Sequence, residues 1–363
     1  MGIVRTLTDY YKHRVGEAGR HFDVVETTVS HLFRHRHAAL DGRSYGGAFH
    51  AALERAGWIE NGDSFLEVGA GTGGFARGFL SERRERVGPA APIAYTIADL
   101  TPSLIAGQRR TLAQHAAANP ATRLGWIRCD AQRLPLATGA FGGLAISNEV
   151  IADFDAVRMD RKRLARGAAR HPAMAAARDR VDRYALEVDD EHQFLNLGAI
   201  LLVEELARAL APGGRAAIAE YGQDAPSREA VLYDGWFAKH TEYAIDFRHL
   251  RRVATALGFQ VEEHNLHDFL GFRDDVRVLN YTDVRRLRMV RRDLEVRAWT
   301  EAELRARHPE LLDRFELRFR PTSDASFPDD TVVRAHGGFR GLFRVLLLRK
   351  AEPARSTTHD PRG

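Results

Sequence analysis

The chain of 363 residues holds a single cysteine, Cys129, and only four lysines among its 53 basic residues. One thiol excludes an internal disulfide framework, and a reducing, cytoplasmic setting is the expectation that follows. No cysteine and histidine cluster has the spacing of a zinc site, so no metal is expected. No apolar run is long enough to span a bilayer, and Met1 to Leu7 carries no run long enough for a secretory signal, so neither membrane insertion nor export is expected. A formal charge of +4, with acids interleaved among the arginines, is too small to make a phosphate-binding face, so nucleic acid is not an expected partner. The preference for arginine over lysine, with abundant alanine, resembles GC-rich bacterial coding. With 44% hydrophobic residues the chain is able to bury one large core or two modest ones.

What the chain does have is the stretch Phe65-Leu66-Glu67-Val68-Gly69-Ala70-Gly71-Thr72-Gly73-Gly74-Phe75, in which an apolar run readable as a strand meets a glycine-rich turn. A helical pattern follows, from Phe75 to about Val87. Gly69 and Gly71 let the backbone turn sharply and approach a ligand closely, because no Cβ intervenes. Gly69, Gly71 and Gly74 also satisfy the GxGxxG spacing of dinucleotide sites, which keeps a nicotinamide oxidoreductase as an alternative. Glu67 argues against it: a carboxylate beside the turn would repel an anionic pyrophosphate seated on the helix N-terminus. A ligand carrying a sulfonium and an ammonium, as S-adenosylmethionine does, is attracted instead.

Further strands fall where such a site needs them. Ile93 to Ala98 reads as a second strand delivering Asp99; Thr101 then reads as an N-cap and Pro102 as the first residue of a helix to about Ala118. A third strand, Leu124 to Cys129, delivers Asp130, and a fourth, Gly143 to Ser147, ends in Asn148-Glu149. Doubly wound sheets bind ligands at the carboxyl ends of their strands. There Asp99 is placed to accept ribose hydroxyls and Asp130 to accept from an adenine amino group, with a solvated turn and a loop cap as the alternatives. The expected cofactor edge comprises Glu67, Gly69, Ala70, Gly71, Gly73, Asp99, Leu100, Asp130, Ala131 and Asn148. Glu149, with Asn148 beside it, is the expected acceptor-binding or proton-taking group, since a carboxylate can hold a guanidinium bidentately. Its alternative is an acid favoured at a helix start. Glu220, Tyr221 and His240 stand as second candidates.

The run Glu-Val-Gly-Ala-Gly-Thr-Gly resembles the first motif of class I S-adenosylmethionine-dependent methyltransferases. Tyr95-Thr-Ile-Ala-Asp-Leu-Thr-Pro-Ser-Leu104, Ser147-Asn-Glu-Val150, Glu220-Tyr221-Gly222 and, more faintly, His240 with Glu242 to Phe247 are similar to the MidA-like branch, which includes mitochondrial complex I assembly factors. The resemblance covers roughly 61 to 270. It implies an α/β, Rossmann-like, seven-stranded class I methyltransferase sheet, S-adenosyl-L-methionine as cofactor with S-adenosyl-L-homocysteine as product, and methyl transfer to a nitrogen, in that branch an arginine on a partner protein. The chain departs from the branch between Gly222 and His240, where it lacks a basic-aromatic stretch. A small-molecule or natural-product N- or O-methyltransferase, and a non-catalytic assembly protein on the same fold, therefore stay open. The acceptor is a protein, a peptide or a small molecule, and homodimerisation is left open.

The expected organisation is a helical N-terminal cap over 1–60, a cofactor-binding half over 61–150, a basic helical insertion over 151–190 and the second half of the sheet over 191–270. An insertion over 271–337 serves as substrate or partner region, a last strand spans 338–350, and the tail, 351–363, is disordered. Between Val157 and Arg183 nine cations face three acids, which either steer an acidic partner or form a solvated helical face.

Overall fold

The computed structural model describes residues 3–4, 22–23, 27–162, 164, 172–228, 230–234, 239–324 and 338–352. Seven strands make its central sheet: β1 (Ser64–Val68), β2 (Ile93–Asp99), β3 (Thr122–Arg128), β4 (Leu144–Asn148), β5 (Arg215–Gln223), β6 (Phe259–Asn265) and β7 (Phe343–Lys350). Their order is β6-β7-β5-β4-β1-β2-β3, with β7 antiparallel to both neighbours and the five strands from β5 to β3 mutually parallel. A two-residue strand, Ile245–Asp246, adds to the end of β5. This is the Rossmann-like sheet that the motifs imply.

Both faces of the sheet are covered, so its strands are apolar on both sides. In β7, Val345 and Leu347 enter one core while Leu346 and Leu348 enter the other, the period of two that a pleated strand imposes. The crossover helices are α3 (Gly74–Val87), α4 (Pro102–Ala118), α6 (Leu197–Ala209) and α7 (Phe247–Ala256), while α1 (Val29–Leu32) and α2 (Tyr45–Arg55) precede β1. The strand order reverses between β1 and β4. That switch point opens a crevice at the carboxyl ends of the strands.

Thr101 is the N-cap of α4 with Pro102 at its start, as expected, but its side chain makes no cap bond and its backbone N–H donates to Asp99 Oδ1 at 3.1 Å. One local expectation is corrected. The last strand starts only at Phe343, because Gly338–Leu342 forms a helical turn. The tail expected to be disordered falls, from residue 353 on, outside the described residues.

In the first insertion α5 (Pro172–Tyr184) packs Met174, Ala177 and Val181 inward. Its arginines are answered by acids: Arg178 by Asp182, Arg180 by Glu204, Arg183 by Asp179. That is a neutralised, solvated face. Arg163, Arg166 and Arg170 lie outside the described residues.

The second insertion, which holds α8 (Tyr281–Val290), joins the N-terminal cap. Ala298 N donates to Leu32 O at 3.0 Å, Arg273 N to Ala39 O at 2.9 Å, and Arg34 Nη2 to Glu295 at 2.7 Å. Cap and insertion thus form one lid over the switch point. Among the described residues no helix is long and apolar enough to cross a membrane.

Candidate active site

A cleft of about 1000 Å³, its open mouth included, lies at the switch point, between the ends of β1, β2 and β4 and the lid. Its floor is the glycine turn. Gly69 and Gly71 have φ of +72° and +51°, and Gly69 N donates to Ala98 O at 2.9 Å. A Cβ on Gly69 would lie 2.7 Å from a Val150 methyl, and one on Gly71 would lie 2.9 Å from Phe22 Cζ. The turn therefore exposes bare backbone to the cleft because no side chain fits there. Ala70, Leu100 and Ala131 share the cleft wall. Gly73, expected on it, instead stands behind, where it caps α3 and backs onto Gln108; Thr72 and Gly74 face the cleft in its place.

The acids at the strand ends converge on this floor. Glu67 is 2% exposed and accepts from the Tyr95 hydroxyl at 2.8 Å. Burial pushes its carboxyl up to about 8, against the Tyr95 hydrogen bond, with Asp99 adding to the rise. Asp99, 5% exposed, accepts from Thr101 N and, at 2.6 Å, from Gln108 Nε2; burial raises it to about 6 despite these bonds. Gln108 also donates to Gly71 O at 3.2 Å, tying Asp99 to the turn. Asp130 both caps the turn Ala131–Arg133, through Gln132 N at 3.0 Å, and lines the cleft.

The end of β4 departs from expectation. Glu149 adopts the left-handed conformation, φ 54°, and its carboxylate reaches the N-terminus of α1: Oε2 accepts from Val29 N at 2.7 Å and Oε1 from Ser30 N at 2.9 Å. Asn148 Nδ2 also donates to Oε1 at 3.1 Å, while Asn148 Oδ1 accepts from the Tyr45 hydroxyl at 2.8 Å. Burial raises the Glu149 carboxyl above the usual range and these donors oppose it. Both oxygens expected to hold an acceptor are thus engaged by the lid, although the residue lines the cleft. Glu220 accepts from Tyr221 N and Ala152 N behind the floor; Tyr221 is buried against Phe343. Neither is part of the cleft wall. His240 sits in Lys239–Tyr243, paired with Tyr233, and its side chain lies outside the described residues.

Sequence reasoning missed the lid side: Phe22, Thr28, Ser30, His31 and Arg34 line the cleft opposite the turn. His31 is held by Asp23 at 2.8 Å and depressed by burial, and Arg34 donates to His31 O and Val296 O. Asp153 and Phe154 close the end beyond β4. Among the described residues no group of three or more histidines, cysteines and acids is placed to hold a metal.

These raised carboxyls carry a prediction. An acid whose pKa is higher folded than unfolded contributes stability that is complete below its unfolded value and is lost as pH rises through its folded value. Glu67 acts from about 4.5 to 8, and Asp99 from about 3.8 to 6. Buried histidines such as His50, lowered to about 3, act in the opposite sense, so the expected result is a difference: from about pH 5.5 to 8, Glu67→Gln gains stability relative to the native protein in urea unfolding. Equal slopes in the two proteins would remove Glu67 from this account.

Residues 51–235 match the family of S-adenosyl-L-methionine-dependent methyltransferases, and the chain belongs to it. The match agrees with the MidA-like resemblance of the motifs. A Burkholderia thailandensis protein solved with bound S-adenosyl-homocysteine is 16% identical, with 96% of this chain and 88% of that chain covered and a TM-score of 0.50. A native structure of an uncharacterized protein of the same species is 17% identical over 96% and 88%, with a TM-score of 0.49. Phosphoethanolamine N-methyltransferase 2 of Haemonchus contortus, solved with S-adenosyl-L-methionine, is 14% identical at a TM-score of 0.43; 93% of this chain is covered, and this chain spans 61% of that one. At these identities the likeness is one of fold. Among curated proteins none matches the sequence.

Proposed function

We propose that the protein methylates a nitrogen on a cationic acceptor, an arginine of a protein or peptide, in the cleft at the switch point. The residues present suit the cofactor: a glycine cradle that a Cβ would fill, and two buried carboxylates, Glu67 and Asp99, raised by burial and answered by a ligand with cationic centres and ribose hydroxyls. On this reading Gly69 to Thr72 approach it by backbone, Glu67 faces its cationic part, Asp99 its ribose, and Asp130 with Ala131 its base. Arg34, on the lid, lines the cleft beside Gly74 while its guanidinium is held by Glu295, His31 O and Val296 O. When bound, S-adenosylmethionine supplies an electrophilic methyl carbon whose leaving group is a neutral thioether.

The observation that carries the acceptor class is the charge at the far end of the cleft. Asn148, Glu149 and Asp153 line it beyond β4, Glu220 lies behind, and Arg34, on the lid over the glycine turn, is paired with Glu295. Such an end favours a guanidinium or ammonium and can take the proton released as the nitrogen becomes methylated. Asp153 and Asn148 orient the acceptor; Glu149 is a positioning residue that ties the lid to β4. A small cationic molecule is the second reading, favoured by the lid, which roofs the cleft with Phe22, Thr28, Ser30, His31 and Arg34.

The test is incubation with methyl-labelled S-adenosylmethionine and host extract, followed by separation of precipitable protein from small molecules. Label recovered as methylarginine after protein hydrolysis is expected. Label confined to small molecules would establish the second reading, and label on carboxyl or hydroxyl oxygen would overturn nitrogen transfer altogether.

A further inference from the structure

The outer face of α8 differs from every other basic surface described above. Its inner face is core: Tyr281, Val284 and Leu287 are buried. Its outer face presents the two large exposed hydrophobic side chains of the described residues, Met289 at 77% and Val290 at 58% exposure. At helical spacing around them stand Arg285 and Arg286, with Arg292 just past the helix end. None of these three arginines makes an ion pair among the described residues, in contrast to the acid-matched arginines of α5. Arg286 lies over the Phe315 ring at 5.9 Å and Arg314 covers it at 5.6 Å, which extends the patch onto the neighbouring segment.

We infer that this face docks an acidic, apolar-tipped segment of a partner protein. Arginine guanidiniums without acidic partners, surrounding exposed aliphatic side chains, are complementary to carboxylates interleaved with apolar residues; arginine and methionine are enriched at such contacts. Methionine is flexible and polarizable, so it adapts to a partner surface. Two aliphatic side chains are too little apolar area to anchor in a bilayer, and the patch has no exposed aromatic platform for bases. Its place gives it consequence. The same helix braces the lid from its other side, where the Tyr281 hydroxyl donates to Thr27 Oγ1 at 2.5 Å and Arg288 Nη1 to Asp23 O at 2.6 Å. Asp23 neighbours Phe22, which stands over Gly71. A partner seated here contacts the helix that braces the lid, whichever atom is methylated.

The experiment uses the full chain and three probes: a fluorescent peptide alternating glutamate with leucine, phosphatidylcholine vesicles containing phosphatidylglycerol, and single-stranded polyuridylate. The peptide is expected to bind best, to weaken as salt rises past about 0.15 M, and to lose roughly tenfold in affinity in the R285E/R286E/R292E variant, about 1.4 kcal/mol. Met289→Asp alone, at a site too exposed to disturb the fold, is expected to weaken the peptide severalfold. S-adenosylmethionine affinity, measured on the same samples, should be unchanged, so a failure of docking is distinguishable from a failure of the cofactor site. Preferential binding of vesicles or RNA, an unaltered peptide affinity in both variants, or no binding of the peptide would each overturn the inference.

Discussion

Replacing Gly71 with valine is expected to abolish S-adenosylmethionine binding while the protein still unfolds cooperatively. Two costs add. The residue has φ +51°, a region in which a β-branched side chain is strained by on the order of 1–3 kcal/mol. Its Cβ would also lie 2.9 Å from Phe22 Cζ, inside contact distance, so either Phe22 or the turn must move. The branched methyls then occupy the space that the bare backbone leaves to the ligand. Calorimetric titration with the cofactor and its demethylated product should show a loss of about a thousandfold or more, roughly 4 kcal/mol. Combining Gly71→Val with Phe22→Ala separates the causes: relief of the clash alone would restore binding, whereas the cleft-filling account predicts none. Detectable binding at near-normal affinity in Gly71→Val would show that the turn does not hold the cofactor.

Glu149→Gln is expected to lower both S-adenosylmethionine affinity and turnover, by roughly tenfold to a hundredfold. In the native protein two backbone donors of α1, Val29 N and Ser30 N, converge on the two oxygens of one carboxylate. A carboxamide offers one oxygen and one amino group, so one backbone N–H is left facing a donor. An unsatisfied buried donor costs about 1–3 kcal/mol, which is enough to detach the lid's first helix from β4 for much of the time. The cofactor then loses its roof and the acceptor its positioning together. If Glu149 instead touched the acceptor directly, turnover would fall while cofactor affinity stayed within a few fold, and that split decides between the two roles. Full activity in Glu149→Gln would exclude both.

The cofactor floor was legible in the sequence because each of its parts is local. A strand followed at once by an acid or a glycine turn is written in a few consecutive residues, and the alternation of strand and helix puts those strand ends on one edge. Glu67 and Asp99 could be placed from that pattern alone. Gly73 could not be told from its neighbours, since three consecutive small residues turn the chain and only the built turn shows which of them faces outward. Asp130 caps its turn, the local alternative offered for it, and also lines the cleft.

The lid was not legible. Glu149 meets Val29 across 120 residues of sequence, and Arg34 meets Glu295 across 261. Nothing in the composition of either segment announces such a meeting, because hydrogen bonds between distant backbone and side-chain groups are chosen by what the packed core brings within reach. The sequence by itself determined the sheet, the glycine turn and acids at its carboxyl edge, and the family. Only the tertiary structure decided that the acid after β4 is spent on capping α1, that Phe22 stands over the glycine turn, and that α8 has one face in the core and the other bare. The reason is physical: strand ends and turns follow from local backbone preference, while the partners of a buried carboxylate follow from whichever donors the fold leaves unsatisfied beside it.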